Sequence, residues 1–168
     1  MDKQLLLLGL LRHQDMHGYQ LNELIEKTLA TCVDIKKPTA YYALNKMLED
    51  GWVMFAEEQE GNRPPRRVYS ITPEGEEAFQ RLVRENLGGY HPTQFGGDFG
   101  LAFLDAVPVE EAWKLLGQRR MGLEAHLAEM ENVPVHQGSL QWMIEHQTRH
   151  LQMELAWVDE VLARLEVA

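Results

Sequence analysis

Leucine dominates the start of the chain. Leu5, Leu8 and Leu11 fall on one side of a helix over residues 4–13, and Leu6, Leu7 and Leu10 on the other, so the helix is apolar almost all round and predicts burial on two sides. His17-Gly18 breaks that pattern. Residues 19–30 then place Leu21, Leu24, Ile25 and Leu29 on one face, with Asn22, Glu23, Glu26 and Lys27 outward, which predicts a second amphipathic helix. A connection over residues 31–37 leads to a third. There Ala40, Leu44, Met47 and Leu48 form an apolar face, and Tyr41, Tyr42, Asn45 and Lys46 form the other side. Pro38 suits the first turn of this helix, where a missing N–H costs nothing, and Gly51 ends it.

Strand signals follow. Trp52-Val53-Met54-Phe55 reads as a strand, Glu60-Gly61-Asn62 as a turn, and residues 66–71 as a returning strand with β-branched and aromatic content. Thr72-Pro73 opens a fourth helix as N-cap and first turn, with Ala78, Phe79, Leu82 and Val83 inward and an end near Leu87. Gly88, Gly89, Pro92, Gly96 and Gly97 then mark a linker. Beyond it come a short apolar segment over residues 99–107 and a longer helix. Pro108 opens that helix, it runs to about Glu131, and its face is Ala112, Leu115, Leu116, Leu123, Leu127 and Met130. After a turn over residues 132–138, Ser139 is placed to cap a last helix. This helix repeats every seven residues, with Ile144, Leu151, Val158 and Leu165 at one position and Thr148, Leu155 and Leu162 at the other. Trp142, Met153, Trp157 and Val161 widen its apolar surface, which predicts packing against a second copy.

The fold class is therefore mainly α with a small β-hairpin wing. A winged helix-turn-helix domain is expected over residues 1–87, a Gly-rich linker over 88–98, and a helical dimerisation domain over 99–168. A winged helix lays its third helix in a major groove and its wing along the backbone or minor groove.

Charge complicates that expectation. The net charge of −10 opposes phosphate contact. Its distribution answers part of the objection: residues 87–168 carry −7, residues 1–86 carry −3, and the stretch 36–67 carries +1. The cations sit where the fold would meet DNA, and the acids elsewhere weaken non-specific binding. No apolar run approaches the ~20 residues of a membrane span. The first apolar run carries both Asp2 and Lys3 and is followed by no small-residue cleavage site, so it is read as a helix of the fold. The single cysteine, Cys32, excludes an internal disulfide, fits a reducing cytoplasm, and reads as a small apolar filler rather than a redox sensor.

Three stretches carry a family resemblance. They are Leu8-Gly9-Leu10-Leu11 with His17-Gly18-Tyr19-Gln20-Leu21; Thr39-Ala40-Tyr41-Tyr42-Ala43-Leu44 with Leu48-Glu49-Asp50-Gly51-Trp52-Val53; and Arg67-Val68-Tyr69-Ser70-Ile71-Thr72-Pro73-Glu74-Gly75. Together they resemble the PadR family of bacterial transcriptional regulators, over nearly the whole chain. The resemblance implies a homodimer, usually a repressor, that leaves its operator when a small aromatic or toxic compound binds. It also implies that Tyr41 matches a near-constant tyrosine of the recognition helix. Pro38, where a small residue is common, and Pro64-Pro65, which stiffens the wing, depart from the pattern.

The candidate DNA contacts are Lys36 and Lys37 before the helix, Thr39, Tyr41, Tyr42, Asn45 and Lys46 on its exposed side, and Arg63 and Arg66 at the wing. Tyr41 has a competing reading as an aromatic half-buried against the wing, and Arg67 as a structural strand residue. The candidate dimer seam is Ile144, Leu151, Leu155, Val158, Leu162 and Leu165. Phe99, Phe103, Trp113, Trp142 and Trp157 are offered as an effector site, against the alternative that they fill the core. His146, His150 and Glu154 share a helical stripe, but a surface stripe explains them better than a metal, and no cofactor is expected. The chain has no Gly-rich phosphate loop, nucleophile elbow or cysteine motif, so it is not read as an enzyme. Double-stranded DNA, a second copy of itself and a small aromatic effector are the expected partners. The alternatives are a winged helix used only for protein contacts and an activator without small-molecule control.

Overall fold

The computed structural model describes residues 2–24, 37–59, 66–93 and 95–166. It divides into two compact units, residues 1–91 and 92–168. In the first, α1 (Asp2–His13) is followed by β1 (Met16–His17), α2 (Gly18–Glu23), α3 (Lys37–Glu49), β2 (Val53–Glu58), β3 (Arg66–Ile71) and α4 (Pro73–Gly88). The expected continuation of the second helix past Leu24, the connection with Cys32 and Lys36, and the wing tip with Arg63 and Pro64-Pro65 lie outside the described residues.

The apolar stripes read from the sequence meet in one core. Leu7, Leu8 and Leu11 of α1 are buried with Leu21, with Ala40, Ala43, Leu44 and Met47 of α3, with Val53 and Tyr69 of the sheet, and with Ala78 and Leu82 of α4. Leu5, Leu6 and Leu10, on the remaining sides of α1, are partly buried against the same core. The sheet has three strands in the order β1-β3-β2. The sequence reading missed β1, which is only two residues long and so shows no alternation; Met16 pairs with Tyr69 and His17 with Val68.

The start of α4 is fixed at close range. The Thr72 side chain accepts from the Gly75 N–H at 3.0 Å, its hydroxyl donates to the Gly51 carbonyl at 2.7 Å, and its backbone N–H donates to the Trp52 carbonyl at 3.1 Å. One residue thus caps the helix and ties it to the turn between α3 and β2. Gly75 is buried where the two segments cross. A Cβ there would lie 2.0 Å from the Trp52 carbonyl oxygen and 2.8 Å from Ile71 Cγ1. Arg12 of α1 shares its Nε–H between the two oxygens of the Glu76 carboxylate, at 2.9 Å from Oε1 and 2.8 Å from Oε2. Gln80, foremost, and Arg12 lower the Glu76 pKa.

The second unit comprises α5 (Asp98–Ala102), a 3-10 turn (Leu104–Ala106), α6 (Val109–Glu131) and α7 (Ser139–Glu166). Arg119 pairs with Glu154 and Arg120 with Asp159, while Leu116 packs with Val158 and Leu162. Later residues of α6 therefore meet earlier residues of α7, so the two helices form an antiparallel hairpin. This changes the meaning of the heptad pattern. Val158 is fully buried, Ile144 and Leu162 nearly so, and Leu151, Leu155 and Leu165 are half-buried. Val158, Leu162 and Leu165 pack in the cluster with Leu116 inside one chain, so the best-buried part of the expected dimer seam is occupied by α6. Leu115, expected inward, is exposed, as are Trp113 and Met121.

Two stability predictions follow from this packing. Helix propensity alone favours Gly75→Ala by about 1 kcal/mol. The backbone clash, which no side-chain rotation relieves, reverses the sign, and thermal unfolding should show a net loss of about 2 kcal/mol or more. Val158→Ala should cost about 2–3 kcal/mol in the unfolding of the second unit, because it opens a cavity against α6. A dimer seam would instead make that loss depend on protein concentration.

Candidate nucleic-acid interface

Of the side chains named for DNA contact, Thr39, Tyr41, Tyr42, Asn45, Lys46 and Arg66 are described, and each is exposed or half-exposed. Burying Ala40, Ala43, Leu44 and Met47 on α3 turns the opposite side of the helix outward. Tyr42 is 74% exposed, Asn45 and Lys46 are exposed, and Thr39 is half-exposed. Lys37 opens the helix, and its side chain lies outside the described residues together with Lys36 and Arg63.

Tyr41 meets both readings made of it. It is 36% exposed, yet its ring is seated against the junction of β1 and α2. A Cβ placed on Gly18 would lie 3.5 Å from the Tyr41 ring, 3.6 Å from its hydroxyl and 3.3 Å from the Tyr69 ring. The glycine of His17-Gly18-Tyr19 thus gives two tyrosines room to approach the chain. The Tyr41 side chain is held on one side and open on the other, so its position is set before any ligand arrives.

The wing contributes arginines with neighbours of both kinds. In the β2–β3 ladder Glu58 is opposite Arg66 and Glu57 opposite Arg67. Arg66 lies 5.4 Å from the Tyr19 ring centroid and Arg67 lies 4.3 Å from that of Phe55. Both guanidinium groups are exposed and stacked, which limits the rotamer freedom lost on binding a phosphate. Tyr19, which also stacks on His17 at 5.3 Å, joins this surface and was not among the predicted contacts. Its position in the quoted motif is the only sequence signal for it.

Lys46 on α3 is not free. Lys46 Nζ donates to Asp50 Oδ1 at 2.9 Å and lies 3.9 Å from Glu49. The hydrogen bond and charge of Asp50 raise the Lys46 pKa above the ordinary lysine value. A phosphate approaching Lys46 competes with a carboxylate of the same helix. The face therefore offers tyrosine hydroxyls, an amide, a hydroxyl and a few arginines, with acids placed among them. That set suits phosphate positioning and base-edge hydrogen bonding more than bulk charge attraction.

The effector residues named from the sequence are dispersed. Phe99 is 78% exposed, Phe103 and Trp142 are also well exposed, and Trp113 lies on the exposed part of α6. Of the five, Trp157 lines a cavity of the second unit, with Phe95, Asp98, Met153 and Glu154. No group of three or more metal-ligating side chains is found among the described residues. Glu154 is engaged by Arg119, and His150 packs against Phe95 with ring centroids 6.4 Å apart. No helix of the described residues is long and apolar enough to cross a membrane.

Residues 7–81 match the model of the transcriptional regulator PadR-like family. No curated protein matches the chain in sequence. The crystal structure of Bacillus subtilis PadR in complex with operator DNA is similar with a TM-score of 0.80 and 17% identity, covering 98% of this chain and 99% of that one. The Vibrio cholerae virulence activator AphA is similar at 0.78 and 21%, covering 98% of each chain. Bacillus subtilis PadR in complex with p-coumaric acid is similar at 0.74 and 17%, covering 97% of this chain and 98% of that one. The chain shares the winged-helix fold of these regulators.

Asp50→Asn should release Lys46. Duplex binding at low salt should tighten roughly two- to tenfold, and the slope of log affinity against log salt should steepen by about one, as one more cation reaches a phosphate. Unchanged affinity and slope in a fluorescence-anisotropy titration would remove Lys46 from the contact surface.

Proposed function

We propose that the chain, whose residues 7–81 match the model of the PadR-like family of transcriptional regulators, is a regulator of that kind, and that it acts as a homodimer on a pseudo-palindromic operator, which it leaves when a small aromatic or toxic compound binds. One observation carries the reading. Tyr41, Tyr42, Asn45 and Lys46 stand exposed on α3 and Arg66 stands exposed on β3, in a fold similar to that of an operator-bound PadR. In the proposed complex α3 enters the major groove, Tyr41 and Lys46 meet phosphates, and Thr39, Tyr42 and Asn45 reach base edges. Lys36, Lys37, Arg63 and Arg66 follow the backbone.

Dimerisation supports this because one such face carries few cations. Two copies double the phosphate contacts and set two half-sites about one helical turn, or a multiple, apart. The second unit is proposed to dimerise. Its residues Val158 and Leu162 already serve the α6–α7 hairpin, so the surface offered to a second copy is the exposed apolar set that includes Trp113, Met121, Leu140 and Trp142. Release is a population shift: a compound that prefers the dimer with wrongly spaced α3 helices lowers operator affinity by its differential affinity for the two geometries. The similarity to a virulence activator favours a second reading, in which the same binding activates transcription.

Selection from random-sequence duplex DNA tests the proposal. It should enrich a two-fold-related sequence, with binding that weakens steeply with salt. Arg66→Ala should weaken that binding about tenfold or more and reduce the salt slope by about two, one for each copy, while leaving the unfolding temperature unchanged. Trp142→Glu should shift the protein to monomer in sedimentation and weaken operator binding with it. Absence of any enriched duplex would favour a winged helix used for protein contacts alone, and a dimer persisting in Trp142→Glu would move the interface elsewhere. A reporter assay decides between repression and activation.

A further inference from the structure

The second unit holds a cavity of about 290 Å³ lined by Phe95, Asp98, Met153, Glu154 and Trp157. A phenyl ring, an indole and a thioether form its apolar walls, and two carboxylates its polar part. Arg119 lies at its edge. The Arg119 guanidinium is hydrogen-bonded to Glu154 and lies 5.9 Å from the Trp157 ring centroid. It also rests on the backbone at Gly97, where a Cβ would come 2.7 Å from Arg119 Nη1. The chain's own cation thus already makes the two contacts that the site is built to offer a positive group: an indole face and a carboxylate. Two carboxylates against one guanidinium leave the cavity with an excess negative charge.

We propose that this cavity binds a small aromatic organic cation, a ring bearing a quaternary ammonium, amine or amidine group. The aromatic part would lie against Phe95 and Trp157, with Met153 filling the gap, and the positive group would face Asp98 and Glu154. The volume lies near the lower end for small-molecule pockets and admits one or two rings. An aromatic carboxylate of the same size fits the walls but meets two like charges. That such a cation acts as the releasing compound rests on the regulator reading above; that it binds the cavity does not.

Isothermal titration of the full chain with benzyltrimethylammonium tests the site, with 4-hydroxycinnamate and tetramethylammonium as comparators. One benzyltrimethylammonium should bind per chain, about tenfold or more tighter than either comparator. Asp98→Asn should weaken that binding about fivefold and narrow the preference over the anion. Met153→Lys, at an exposed position that leaves the fold in place, should abolish it. Absence of cation binding, equal binding of 4-hydroxycinnamate, or unchanged affinity in both variants overturns the proposal. Operator binding measured in parallel separates the two readings. Lost cation binding with intact operator binding sinks the cavity inference alone. Lost operator binding with intact cation binding sinks the regulator reading alone.

Discussion

The burial of one side of α3 is the constraint on which the remaining arrangement depends. Ala40, Ala43, Leu44 and Met47 share a core with Leu7, Leu8 and Leu11 of α1, and these side chains are almost wholly withdrawn from water. Two of the four α3 residues are alanines, which lets the helix backbone approach its neighbours closely. Rotating the helix to hide Tyr42 or Asn45 would expose leucine and methionine at a cost of about 1.5–3 kcal/mol for each large side chain. The polar face is therefore outward by necessity. Thr72 and Gly75 then hold α4 against the turn that ends α3, so helix, turn and sheet stay in one relation. Tyr41 benefits from the same rigidity, because its ring rests against the chain at Gly18.

Electrostatics works on this frame with few charges. An acidic chain that meets duplex phosphate must concentrate its cations, and this one also tempers them. Lys46 is held by Asp50, and the strand register sets Glu57 and Glu58 opposite Arg67 and Arg66. The Lys46 pairing lowers the affinity for arbitrary DNA, since a phosphate that reaches this lysine first displaces the Asp50 carboxylate. In the proposed complex, base-edge contacts from tyrosine, asparagine and threonine would then carry a larger share of the binding energy, which favours discrimination over strength.

The second unit spends its hydrophobic pattern within one chain. A seven-residue repeat on α7 satisfies any antiparallel or parallel helix partner, and α6 is the nearest one in the sequence. Their union buries Val158 and Leu162 against Leu116 and leaves indole and thioether groups on the outside. Exposed Trp142 and the cavity wall at Trp157 are consequences of the same choice. The aromatic residues that looked interchangeable along the chain have separate positions once the hairpin closes.

Read alone, the amino-acid order determined the periodic elements. It located the helices of both units, the two long strands of the wing, the Thr72 cap and the polar side of α3, because each depends on contacts between residues close in sequence. The three motif stretches also sufficed for the family resemblance. Only the tertiary structure decided what was long-range. β1 exists because β3 offers it a partner, Gly75 matters because Trp52 crosses it, and Lys46 is tempered by how its helix ends at Asp50. Val158, Leu162 and Leu165 of the heptad pattern pack with Leu116 of α6 because a short connection makes an internal partner far easier to reach than a second molecule. Phe95, Asp98 and Glu154 come to one cavity through folding across some sixty residues, a distance over which no periodicity of the sequence carries information.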